Sequence, residues 1–103
     1  MRRTRADGYG GYVYILASRR HGTLYTGVTG DLVTRVWQHR EGVVLGFTKT
    51  YRVHRLVYFE AFGSIVDTIE REKRMKKWRR DWKIRLIEEA NPHWVDLYDN
   101  LAR

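Results

Sequence analysis

The chain has 103 residues, 43% of them hydrophobic and 14% aromatic, which fits one globular domain with one modest core and not a disordered segment. It has no cysteine, which excludes disulfides, thiolate metal sites and thiol chemistry, and no apolar run approaches the roughly 20 residues that span a bilayer. Twenty Lys and Arg against twelve Asp and Glu give a formal charge of +8, which points to a polyanion, because basic side chains gain by displacing counterions condensed on phosphates.

Residues 1–10 read as a flexible basic arm and residues 11–103 as a single domain. The arm carries Arg2, Arg3 and Arg5, and no hydrophobic signal region follows them. The cytoplasm is therefore the expected location. Gly8, Gly10 and Gly11 interrupt any regular pattern. The arm either seeks phosphates or has no role.

Tyr12 to Ala17 is rich in β-formers and reads as a strand, and Thr23 to Val28 as a second. Residues 18–22 suit a short hairpin loop between them. If Ala17 lies opposite Gly22, Tyr14 lies opposite Tyr25, and two phenols share one face of the sheet. An ordinary aromatic cross-strand pair has the same geometry. Thr29 and Asp31 are caps for a helix over about residues 30–41, with Gly42 as its stop. Leu32, Val36 and His39 form one stripe of this helix, with Arg35 beside it. The two polar residues either face a site at the hairpin, or Arg35 extends past the core and His39 makes a structural hydrogen bond.

Residues 43–54, with Lys49 at their centre, read as a loop or irregular turn that covers the site. Arg55 to Phe62 is a third strand, almost continuously apolar as a central or doubly covered strand would be. Its Glu60 faces outward or is a second acid near the site. Ser64 to Asp67 has the form of a capping box. The helix it starts places Ile65, Ile69, Glu72 and Lys76 on one inward stripe, with Glu70 off it. An inward carboxylate pairs with a base or holds a metal ion, which makes Glu72 the candidate functional acid.

The run from Arg71 to Arg85 is strongly basic, with Trp78 and Trp82 interleaved. It reads as two helices whose tryptophans pack on the sheet and whose bases, among them Lys73, Lys76, Lys77 and Arg80, track phosphates or are merely solvated. Beyond Asn91 and Pro92, residues Trp94, Leu97, Tyr98 and Leu101 suggest a closing turn or short helix. Taken as exposed, Trp94 and Tyr98 would suit a protein–protein adaptor. No repeat, P-loop, dinucleotide fingerprint or zinc spacing occurs.

Gly11-Tyr12-Val13-Tyr14, then Tyr25-Thr26-Gly27, then Asp31-Leu32 with Arg35 and Gln38-His39, resemble the GIY-YIG nuclease family. Arg71-Glu72-Lys73, Lys76-Lys77-Trp78, Arg80 and Trp82-Lys83 are similar to its small stand-alone bacterial members. The resemblance covers about nine tenths of the chain. It implies an α+β fold, a three-stranded antiparallel sheet flanked by three or more helices. It also implies divalent-metal-dependent cleavage of phosphodiesters in nucleic acid, DNA first. Tyr14 and Tyr25 correspond to the motif tyrosines, Arg35 to the family arginine and Glu72 to the metal-binding glutamate. Asn91 stands where some members use a further asparagine. The lysine that some repair members carry after the second motif is absent, since Val28 or a neighbour takes its place.

Phosphodiester hydrolysis needs an activated water, neutralisation of charge at the phosphorus, and help for the leaving oxygen. A Mg²⁺ or Mn²⁺ ion on Glu72 would suit the second and third needs. Arg35 would donate parallel bonds to phosphate oxygens. Tyr14, with Tyr25 in support or exchanged with it, would be the base or orient the water, provided a nearby cation lowers its pKa. His39 completes the candidate catalytic set, and Lys49, Lys73, Lys76, Lys77 and Arg80 the candidate nucleic-acid contacts. The alternative is a basic binding module that keeps the fold and does no chemistry.

Overall fold

The computed structural model describes residues 10–101, so all but the last residue of the expected basic arm lies outside the described residues. Gly10 already donates its N–H to the Phe62 carbonyl. The elements run β1 (Gly11–Ala17), β2 (Leu24–Thr29), α1 (Leu32–Arg40), α2 (Phe47–Thr50), β3 (Arg55–Phe62), α3 (Ile65–Lys76), α4 (Arg80–Ala90) and α5 (Tyr98–Leu101). The three strands form one antiparallel sheet in the order β2-β1-β3.

The order corrects one expectation. The central strand is β1, buried along its whole length, and β3 is an edge strand. The apolar run of β3 is explained by what covers it. A bulge opposite Ile15 and Leu16 leaves Val57 without a partner on β1. The segment after α4 then runs along the exposed edge. Leu97 donates to the Leu56 carbonyl, the Leu56 N–H donates to Asp96, and Asn91 donates to the Val57 carbonyl. A bare edge is thereby closed to other strands.

Alternation along β1 divides the core into two layers. Tyr12, Tyr14 and Leu16 pack with Leu32 and Val36 of α1, Val53 and Leu56. Val13, Ile15 and Ala17 pack with Val57, Met75 of α3, Ile87 of α4 and Trp94. Trp94 is fully buried, and its indole N–H donates to Glu88. Tyr98 lies half-buried under the Arg40 guanidinium. The adaptor reading, which needs these rings exposed, therefore fails. Of the two tryptophans expected to pack on the sheet, Trp78 is partly buried and Trp82 is 45% exposed.

Local chemistry sets the element ends. Asp31 accepts the Thr34 N–H at the start of α1, and Ser64 accepts the Asp67 N–H at the start of α3. Gly42 takes the left-handed conformation (φ +72) that ends α1. The hairpin is longer than expected. Ser18 and Thr23 bond to each other through backbone and side chain, so Ala17 faces Leu24 and not Gly22. The register moves by two residues, which places Tyr14 opposite Gly27 and leaves the two phenols as diagonal neighbours on one face.

Candidate active site

Tyr14 is the most buried of the candidate residues, at 1% exposure, and its position depends on Gly27 across the sheet. A Cβ on Gly27 would lie 2.5 Å from both Cζ and the hydroxyl of Tyr14. The phenol therefore lies flat over a strand position that only glycine leaves open. Gly11 has a similar use, since a Cβ there would lie 2.6 Å from Thr68 Oγ1 of α3. The buried stripe of α3 is accordingly Thr68, Glu72 and Met75. Ile65 and Ile69, expected on that stripe, are largely exposed, because the small Thr68 is what fits against Gly11.

The Tyr14 hydroxyl lies 3.1 Å from His39 Nε2, and His39 Nδ1 lies 3.0 Å from Thr48 Oγ1. His39 comes from the last turn of α1 and Thr48 from α2, and both are buried. The expected cover over residues 43–54 is thus partly helical and holds the imidazole from behind. Burial, with the charges of Arg35 and His54, lowers His39 to about 4, so the ring is neutral at pH 7. One arrangement has the phenol donating to Nε2 and Nδ1–H donating to Thr48; the reversed arrangement fits the same distances. Tyr25 closes the group, its ring centroid 6.3 Å from Tyr14 and 5.6 Å from His39.

Burial pushes Tyr14 up to about 12; Arg35 opposes the shift through hydrogen bonding and charge, while Tyr25 and Glu72 add to it. Arg35 alone therefore does not make this phenol a base. Desolvation outweighs the guanidinium. The groups that bear on this hydroxyl are thus Arg35, Tyr25 and Glu72. Arg35 is held from its other side by Gln38, 3.2 Å away.

Glu72 comes from α3, which packs along β1 and β2. It is 7% exposed, and one carboxylate oxygen lies 2.6 Å from the Lys76 ammonium. Of the two readings of an inward carboxylate, the pairing with a base is the one seen here. Among the described residues no three Asp, Glu or His side chains gather as a metal cluster. A lone carboxylate fits Mg²⁺ or Mn²⁺ nonetheless, since Mg²⁺ keeps several waters and takes its remaining oxygens from phosphate. Lys83, half-buried near Lys76, is held below the usual lysine range by burial and by that like charge.

Other candidates are placed elsewhere. Lys49, Lys73 and Lys77 are exposed. The Arg80 guanidinium donates to the carbonyls of His21 and Gly22, 2.7 Å each, and so anchors the hairpin loop. The Asn91 amide donates to the carbonyls of Val57 and Val95 and accepts the Val95 N–H. Its polar atoms serve the β3 bulge and the chain beyond α4. Glu60 is neither solvent-facing nor part of the Tyr14 group. Arg71 holds it by two bonds of 2.8 Å and Tyr58 donates to it; burial opposes these partners, but they keep it below the usual carboxylate range.

Sequence reasoning named Gly27 and Lys83 only as motif residues and placed Thr48 only in the covering loop, without the contacts they make here. The signal for Gly27 was present, as a glycine inside a strand. Thr48 and Lys83 gave none, because only tertiary contacts bring them in.

The sequence profile of the GIY-YIG catalytic domain matches residues 10–85. A UPF0213 protein of Staphylococcus saprophyticus is 36% identical over 79 residues, 77% of this chain and 95% of that one. A UPF0213 protein of Staphylococcus haemolyticus is 38% identical over 78 residues, 76% of this chain and 94% of that one. The solution NMR structure of the UPF0213 protein from Bacillus halodurans superposes with a TM-score of 0.50 at 32% identity, covering 79% of this chain and 85% of that one. With a profile match over most of its length and relatives more than 30% identical that it covers almost end to end, this chain belongs to the GIY-YIG family.

Proposed function

We propose that the protein is a divalent-metal-dependent endonuclease that hydrolyses phosphodiester bonds of nucleic acid, with DNA as the favoured substrate. The family is nuclease-type, and the carrying observation is that the buried Tyr14 hydroxyl, bonded to His39 Nε2, lies beside Tyr25, while the buried Glu72 carboxylate stands on α3, which packs along the same two strands. A bound Mg²⁺ or Mn²⁺ would supply Lewis-acid stabilisation of the phosphate and the leaving oxygen. Glu72 would hold that ion. Arg35 binds the non-bridging oxygens as charge develops on them. Tyr14, protonated near neutral pH, orients the attacking water, with its proton shared along the line to His39 Nε2. Thr48 fixes the imidazole, and Tyr25 screens the group from bulk water. Lys73, Lys77 and Lys49 add phosphate attraction from the exposed surface.

The Lys76–Glu72 ion pair is the feature that favours the second reading, a basic binding module without chemistry. The two readings separate in one assay. Purified protein is incubated with supercoiled and linear DNA and with RNA, in Mg²⁺, in Mn²⁺ and in EDTA. Metal-stimulated cleavage that Glu72→Ala and Arg35→Ala abolish, with circular dichroism unchanged, supports the enzyme. Binding that falls steeply with salt, persists in Glu72→Ala and never leads to cleavage supports the module instead.

A further inference from the structure

Five rings run outward from the site in unbroken sequence. Tyr14 contacts His39 at 5.9 Å between centroids, and His39 contacts Tyr25 at 5.6 Å. Tyr25 is stacked on Phe47 at 6.4 Å and 27°, and Phe47 lies 4.9 Å from Tyr51. Exposure rises along the way, from a fully covered Tyr14 to 48% at Phe47 and 57% at Tyr51. Half of two large aromatic rings is thus left in water beside the candidate site.

The backbone presents these rings deliberately. α2 is a single turn bounded by Gly46 at φ +102 and Arg52 at φ +56. A non-glycine residue in that region costs about 1–3 kcal/mol and persists where the surroundings impose it. The turn places Phe47 and Tyr51 four residues apart on its outer side, while Thr48 on its inner side holds His39. Residues 42–55 contain Lys49, Arg52, His54 and Arg55 and no acid. An acidic protein partner would satisfy the charge and leave the ring faces without a counterpart. A ligand with both a negative backbone and flat apolar faces satisfies both features.

We propose that Phe47 and Tyr51 are a stacking platform for unpaired bases, so that the substrate enters as single-stranded nucleic acid or as a single-stranded extension of a duplex. Paired bases keep their faces inside the duplex and cannot use the platform. Stacking on aromatic side chains tolerates any base, so the platform selects strandedness and not sequence. It rests on the proposed function only for where the scissile phosphate lies.

The test is binding in EDTA, where cleavage plays no part. Fluorescence anisotropy gives the affinity of oligo(dT), oligo(U) and a hairpin duplex of equal length for wild-type protein and for Phe47→Ala, Tyr51→Ala and Phe47→Trp, each checked for fold by circular dichroism. Each alanine should weaken single-strand binding about 5- to 150-fold and leave duplex binding within about twofold. Phe47→Trp should retain it, and a 2-aminopurine oligonucleotide should be quenched by wild type and not by Tyr51→Ala. Comparison of oligo(dT) with oligo(U) identifies the natural polymer. Unchanged single-strand affinity in both alanine variants, or equal losses for single strand and duplex, overturns the platform. That result leaves the nuclease reading standing if metal-dependent cleavage persists. Conversely, stacking without any cleavage retains the platform and removes the enzyme.

Discussion

Gly27→Ala tests how the site is seated. The new Cβ would lie 2.5 Å from Tyr14 Cζ and from its hydroxyl, against a comfortable separation of about 3.5–4.0 Å. The ring must retreat by about 1 Å, which takes its hydroxyl out of reach of His39 Nε2, now 3.1 Å away. Overpacking costs about 1–3 kcal/mol and the lost hydrogen bond about 0.5–1.5 kcal/mol, so a destabilisation of about 1.5–4.5 kcal/mol is expected. Urea unfolding followed by tryptophan fluorescence reads it as a lower midpoint at constant slope. In a Tyr14→Leu background the ring is gone and the same substitution should cost less than about 0.5 kcal/mol. The reasoning is refuted if Gly27→Ala is neutral in the wild type, or costs as much without the ring as with it.

Thr48→Val leaves buried His39 Nδ1 without its partner and should cost about 1–3 kcal/mol in thermal or urea unfolding; a neutral result would show that Thr48 does not hold the ring. Acid should weaken the fold through His39. Its native pKa of about 4 lies below its ordinary 6.5, so between these values the unfolded chain binds more protons. Stability is then full above pH 6.5 and falls as the pH drops to 4, by at most about 3 kcal/mol, and His39→Gln should flatten that segment of the stability curve. Asn91→Asp should destabilise by about 1–3 kcal/mol near neutral pH, because a carboxylate cannot donate to the Val57 and Val95 carbonyls; a change under about 0.5 kcal/mol would contradict the role given to this amide.

The caps at Asp31 and Ser64, the bounds of β3 and the glycine that ends α1 were legible in the sequence, because each rests on a few adjacent residues. That Tyr14 and Tyr25 share a face was legible for a sturdier reason. A hairpin slip of two residues preserves side-chain parity, so the shared face survives an incorrect loop length. The inward position of Glu72 likewise followed from helical period, although the stripe around it is Thr68 and Met75 and not the isoleucines. What the sequence withheld depends on distant contacts. The covered edge of β3 was hidden because the segment that covers it lies about 40 residues downstream. The pKa of Tyr14 was hidden because it is a contest between burial and Arg35, and burial is a property of the whole fold.

The central claim is that a divalent ion sits on Glu72 within reach of both phenols and Arg35. Titrating ¹⁵N- and ¹³C-labelled protein with Mn²⁺ reads this directly, because the paramagnetic ion broadens resonances around it. The account predicts broadening centred on Glu72 and extending to Tyr14, Tyr25 and Arg35, lost in Glu72→Gln and reduced by competing Mg²⁺. Broadening centred on other carboxylates, or the same pattern in Glu72→Gln, would contradict it.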